Sequence, residues 1–189
     1  MESQFRQEPV AALCVSGRSI YKHLPGVVAF DRERGARSFG GYMPVVAHPP
    51  CRLWSKYLAT QAKCDNEPAE KALGVWCVEQ VRTWGGVLEH PAHSGLFAAA
   101  GMPLPNGQGD DFGGFTLYVE QQWFGYATPK PTWVYVCGVP KRSLPAVPFS
   151  LAASPRAECS RLSASGRARS VAPFAEWLCQ ISRLAWGVA

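Results

Sequence analysis

No apolar run in this sequence approaches the roughly 20 residues that crossing a bilayer requires, so a membrane-spanning chain is not expected. The opening MESQFRQEPV carries acids and lacks a basic stretch followed by a long apolar one, so it does not read as a secretory signal. A cytoplasmic protein is the expectation. No Cys-x-x-Cys pair occurs, and the seven cysteines (14, 51, 64, 77, 137, 159 and 179) are odd in number and scattered, which argues against a disulfide framework. No internal repeat is present. Charge is sparse, with 17% charged residues against 47% hydrophobic, and that is the balance of a globular chain.

What is present is a modest excess of 19 basic over 14 acidic residues, a net charge of +5, part of it concentrated in the Arg-rich segment 156–169. Nucleic acid is a compatible partner. At 189 residues the chain holds one well-buried core and is too short for two ordinary domains with a linker.

Short apolar runs mark strands. VAALCVSG (10–17), GVVAF (26–30) and PVVAH (44–48) read as buried parallel strands, the third stopped by Pro49 and Pro50 just before Cys51. From Glu67 to Trp84 apolar residues recur with helical spacing, with Asn66 as a candidate cap, and Gly85 and Gly86 end the helix. VLEH (87–90) follows as a strand. The glycine- and proline-rich stretch 101–114 reads as a mobile or binding loop.

FTLYVEQQWFGY and TWVYVCGV are β-rich runs that should pair as the last two strands, and PFAEWLCQISRLAW (173–186) is a closing helix with Pro173 in its first turn. The order strand, helix, strand, short helix, strand, helix, strand and two more strands predicts an open α/β sheet, mostly parallel, with an antiparallel edge strand. Ligands bind such sheets at the carboxyl ends of the strands, so Gly17, Asp31, Cys51 and Glu89 should face one crevice.

Four stretches carry a resemblance. PPCRLWS resembles the Pro-Pro-Cys motif of cytosine-C5 DNA methyltransferases. VLEHP resembles that family's Glu-Asn-Val strand end, WFGYATPKPTWVYVCG the glycine turn and basic residues that lead into its last strand, and ARSVAPFAEWL its C-terminal Asn-x-Val-Pro segment. HPPC and EHPA look most like small phage-encoded members. The resemblance implies a shortened, Rossmann-like methyltransferase sheet, one domain over 1–189 with a sheet core to residue 150, an Arg/Ser-rich loop 151–172, and helix 173–186 packing back on the core. The location would be the cytoplasm of a bacterial host or phage-infected cell.

It also implies a chemistry. Cys51 would add as a thiolate to C6 of cytosine, with Arg52 or His48 lowering its pKa, Glu89 would hold N3, and Lys130 would help hold the base. S-adenosylmethionine would be the cofactor, held by Ser16, Gly17, Asp31, Pro49 and Ser170. Arg52, Ser55 and Gln122 would contact the substrate, with Gln121 a further candidate. DNA, duplex or single-stranded, would be the partner, and a duplex target would have to be flipped out.

This chain departs from the family pattern in three places. Only nineteen residues separate Asp31 from Cys51, Gly17 stands alone in its turn beside Arg18, and no long insertion supplies target recognition. Recognition then falls to the 101–114 loop or a protein partner. A second class of function follows, a cofactor-free protein of this fold that binds DNA or a partner, such as a phage accessory or antirestriction factor.

Other readings of the same residues stand beside these. Asp31, followed by Arg32, Glu33 and Arg34, also suits a cap of the next turn. His48 with Cys51 and His90 with His93, each spaced i, i+3, suit four ligands around zinc.

Overall fold

A computed structural model describes residues 8–54, 67–148 and 170–185. Ser55, Asn66 and the Arg-rich stretch 156–169 lie outside the described residues. Six strands form one sheet: β1 (Val10–Val15), β2 (Val27–Asp31), β3 (Val45–Ala47), β4 (Gly86–Pro91), β5 (Phe115–Glu120) and β6 (Pro131–Cys137). Helices α1 (Glu67–Trp84), α2 (Gly95–Ala99) and α3 (Ala172–Leu184) complete it. No helix among the described residues is long and apolar enough to cross a membrane.

The sheet order is β2-β1-β3-β4-β6-β5. β2, β1, β3 and β4 pair in parallel, and β6 is antiparallel to both β4 and β5. The architecture is therefore α/β, mostly parallel, with antiparallel pairing at one edge. The reversed strand is β6, one place in from the edge, and β5 is outermost. Burial explains the order: β6 is buried from Thr132 to Cys137 and needs a neighbour on each side, whereas β5 leaves Tyr118 exposed and tolerates the edge.

Alternation along the strands divides the core into two layers. Val10, Ala12, Val46, Val87, Val134 and Val136 face α3, and Ala11, Leu13, Val45, Ala47 and Leu88 face α1. α3 has no side-chain N-cap and is held by packing: Phe174, Leu178 and Ile181 are fully buried, each contributing roughly 1.5–3 kcal/mol. The Ser182 hydroxyl fastens it to the sheet by donating to the Val45 carbonyl (3.1 Å).

Between α1 and β4 the chain passes through Gly86 at φ +116°, where a Cβ would lie 2.1 Å from the Val45 carbonyl oxygen. Only glycine allows β3 and β4 to approach there.

Two expectations change. The connections from β1 to β2 and from β2 to β3 hold single 310 turns, Ile20–His23 and Ala36–Ser38, in place of helices. The stretch 101–114 is fastened at Asp110, whose carboxylate accepts from the Phe112 and Gly114 N–H groups, the Tyr135 hydroxyl (2.7 Å) and Arg82 (3.0 Å). Arg82 lies in the last turn of α1, just before β4 begins, so this loop is tied toward the amino ends of the parallel strands. It is thus anchored away from the carboxyl ends of those strands.

Candidate functional site

The carboxyl ends of β3 and β4 lie side by side. Their register pairs Ala47 with Leu88, which sets His48 next to Glu89. Beyond β3 the two prolines end the ladder, and residues 51–54 close a turn in which the Trp54 N–H donates to the Cys51 carbonyl (3.1 Å). The Gly95 N–H donates to the Trp54 carbonyl (2.9 Å) and ties this turn to the start of α2. Cys51 is half-buried, and Arg52 forms an ion pair with Glu70 of α1, its Nε donating to both carboxylate oxygens.

Glu89 is the hub. Its side chain is 11% exposed, Oε2 faces His48 Nδ1 at 3.1 Å, and Oε1 accepts from Gln121 Nε2 at 2.8 Å. Gln121 follows β5 and also donates to Thr132 Oγ1 (3.1 Å), whose hydroxyl donates to the Lys130 carbonyl. Burial alone would raise the Glu89 carboxyl, but the hydrogen bond with His48 and the charge of Lys130 outweigh it and hold the acid at about 2. Glu89 is therefore ionised at neutral pH.

Behind it, His48 Nε2 meets the Tyr21 hydroxyl at 2.8 Å. Tyr21 is buried in the 310 turn after β1, and that burial pushes its phenol well above the ordinary value, so it stays protonated. Burial also lowers His90 to about 4, against the pull of Glu89, and keeps its ring neutral. Gln121 Oε1 and Thr128 Oγ1 are buried with no hydrogen-bond partner among the described residues. Orphaned buried polar atoms cost about 1–3 kcal/mol each and are scarce in folded proteins. Here they gather around the carboxyl end of β4 and the hairpin beside it.

The site thus brings together His48, Glu89 and Lys130 of the expected set, with Cys51 three residues after His48 in the turn beyond β3. Gln121, in place of Gln122, is the glutamine that reaches Glu89. Tyr21 and Thr132 are additions: a hydroxyl buried from a short turn has no sequence pattern to announce it, and Thr132 reads as an ordinary strand residue. Pro49 is buried behind Cys51. Ser170 leads into α3, which starts at this same end, with Phe174 packed on Phe124 (ring centroids 4.9 Å).

The zinc constellation does not form. His90 is enclosed, His93 packs its ring on Trp133, and among the described residues no group of three or more His, Cys, Asp or Glu is placed to hold a metal.

Ser16 and Gly17 lie exposed after β1, and a Cβ on Gly17 would meet nothing within 4 Å. Asp31 ends β2 beside a cavity of about 380 Å3 lined by Lys22, Ala29, Asp31, Glu33 and Arg34. Its carboxylate is engaged locally: Oδ1 accepts from the Glu33 and Arg34 N–H groups (3.1 and 3.0 Å) and Oδ2 pairs with Lys22. The Arg34 N–H, followed by Lys22, holds the carboxyl below the ordinary carboxylate value.

Compared with known proteins, the chain matches no family model, no curated protein and no solved structure.

Proposed function

We propose that the protein adds the Cys51 thiolate to the C6 position of a cytosine in DNA, as a shortened cytosine-C5 methyltransferase. The observation that carries this reading is that the half-buried Cys51 follows the end of β3 while the neighbouring parallel strand β4 carries the buried, ionised Glu89. Cytosine presents an amine donor beside N3, and the Glu89 carboxylate together with the orphaned Gln121 Oε1 supplies acceptors for that edge. Thymine would set a carbonyl oxygen against them.

As sulfur bonds to C6, negative charge moves toward N3, where a proton delivered through Glu89 would neutralise it, with the Lys130 charge beside it. A base inside a duplex cannot reach Glu89, so a duplex target leaves its stack. Arg18, Arg32, Arg34 and Arg37 are exposed in the turns after β1 and β2, at the same end of the sheet, and suit the phosphate backbone.

S-adenosylmethionine would lie in the open hollow at the end of β2, lined by Lys22, Ala29, Asp31, Glu33 and Arg34. Asp31 would hold it there, with Ser16 and Gly17 leaving open backbone beside it. The Lys22 partner of Asp31 is 35% exposed, so water can take its place in that pair. The cofactor would supply the methyl group, and the described residues hold the base and the thiolate.

The test is a covalent trap. Duplex DNA carrying 5-fluorocytosine, incubated with the protein and S-adenosylmethionine, should yield an adduct with wild type and none with Cys51→Ser. Absence of any adduct from wild type sinks the addition chemistry.

One observation favours the second reading, a cofactor-free DNA-binding or partner-binding protein: every oxygen of Asp31 is already engaged. Calorimetry separates the two, since that protein gives no heat with S-adenosylmethionine or S-adenosylhomocysteine yet retains DNA.

A further inference from the structure

We propose that His48 is the proton source behind Glu89 and that Tyr21 positions its ring, so that a chain from Tyr21 Oη through His48 Nε2 and Nδ1 to Glu89 Oε2 serves the base at N3. The inference rests on the addition chemistry above and names residues that this chemistry does not require in itself.

A carboxyl held at about 2 carries no proton at neutral pH, yet N3 must take one when C6 is attacked. His48 Nδ1 stands 3.1 Å from Glu89 Oε2, and the two side chains are only 14% and 11% exposed, so the proton passes between them without bulk water. In its charged form the imidazole donates from both nitrogens, to Glu89 at Nδ1 and to the Tyr21 oxygen at Nε2. Once Nδ1 gives up its proton, Tyr21 keeps the ring in the Nε2–H form, with the Nδ1 lone pair aimed back at Glu89. The neutral phenol of Tyr21 does not itself exchange a proton in this range.

Bond by bond, the Cys51 sulfur–C6 bond forms and the C5–C6 π pair becomes a C4–C5 double bond. The C4–N3 π pair moves onto N3. Glu89 Oε2 takes the proton of His48 Nδ1 and passes it to N3, leaving His48 neutral and Glu89 ionised again. When the thiolate leaves, the N3 proton returns by the same path.

The groups around this chain are consistent with that division of labour. Glu89 and His90 face His48 from β4, Lys130 acts on Glu89 from the segment before β6, and Cys179 of α3 lies behind Tyr21. Burial lowers His90 to about 4 and raises Cys179 to about 12, so both are neutral near pH 7 and neither competes.

The experiment follows the rate of adduct formation between pH 5.5 and 9 on a randomised duplex pool containing 5-fluorocytosine, with S-adenosylmethionine, for wild type, C51S, H48Q and Y21F. Wild type should give a bell, with an alkaline limb where the proton source behind Glu89 is lost. H48Q should lose the alkaline limb and react at least roughly a hundredfold slower at the optimum, in the range typical of proton transfer by a placed group. Y21F should keep that limb but displace it. If wild type and C51S differ as expected while H48Q retains both rate and bell, His48 is only structural and this proposal fails, though the addition chemistry stands. If wild type forms no adduct, both fall together. Should H48Q melt below the assay temperature, Y21F decides: an unmoved alkaline limb overturns the proposal.

Discussion

Replacing Glu89 with glutamine should change how the stability of this protein depends on pH, and the size of that change follows from the site. The carboxyl titrates at about 2 in the folded chain against an ordinary value of 4.5. A depressed acid stabilises the fold above its unfolded pKa and loses that contribution as pH falls through the folded one. At 1.36 kcal/mol per pH unit, ionised Glu89 is worth about 3 kcal/mol at pH 7 relative to its protonated form, and about 2 kcal/mol of this is gone by pH 3. The absolute stability of Glu89→Gln at pH 7 is a poor readout, because replacing a buried charge by an amide alters desolvation as well as pairing. The difference between the two proteins across pH is the informative quantity. Asp31 and Asp110 are also depressed and weaken both proteins in acid, but they cancel in that difference. Urea titrations followed by tryptophan fluorescence at pH 7, 5, 4 and 3 should show the wild-type free energy falling toward that of Glu89→Gln by about 2 kcal/mol. Parallel pH profiles would refute the assignment of Glu89 as a buried, ionised hub.

Two perturbations away from the reacting groups test the scaffold. Gly86→Ala places a methyl against the Val45 carbonyl at a φ hostile to side chains, and should cost roughly 3–5 kcal/mol, read as a large drop in melting temperature. Asp110→Ala strips partners from Tyr135, Arg82 and two backbone N–H groups; a loss of about 2–4 kcal/mol is expected, with protease cleavage within 101–114 that wild type resists.

Local pattern carried much of this fold. The α1 range, from Glu67 to Trp84, is written in its helical spacing, and the runs at Val10, Val27 and Val45 read as strands because they are continuously apolar, as strands of a covered parallel sheet are. The positions of Cys51 just past β3 and of Glu89 in β4 were legible because prolines stop strands. What pattern misses is partnership. The rank order of β5 and β6 depends on which strand β4 accepts, the 101–114 loop is fixed by Arg82 and Tyr135, 28 and 25 positions from Asp110, and Tyr21 acquires its role through a histidine 27 residues away. Glycine richness suggests mobility only until such distant anchors are known.

Those separations also govern when the site exists. Glu89 is joined to residues 41 and 32 positions distant along the chain, and none of its anchors is local. Contacts of this kind form late, because the entropy of closing long loops is spent before they return anything, and parallel pairing is slow for the same reason. During synthesis Cys51 leaves the ribosome long before Gln121 and Thr132 have been added, so a growing chain carries the thiol without the glutamate clamp. Assembly of the Glu89 cluster therefore coincides with completion of the sheet, and a truncated or half-folded copy lacks it.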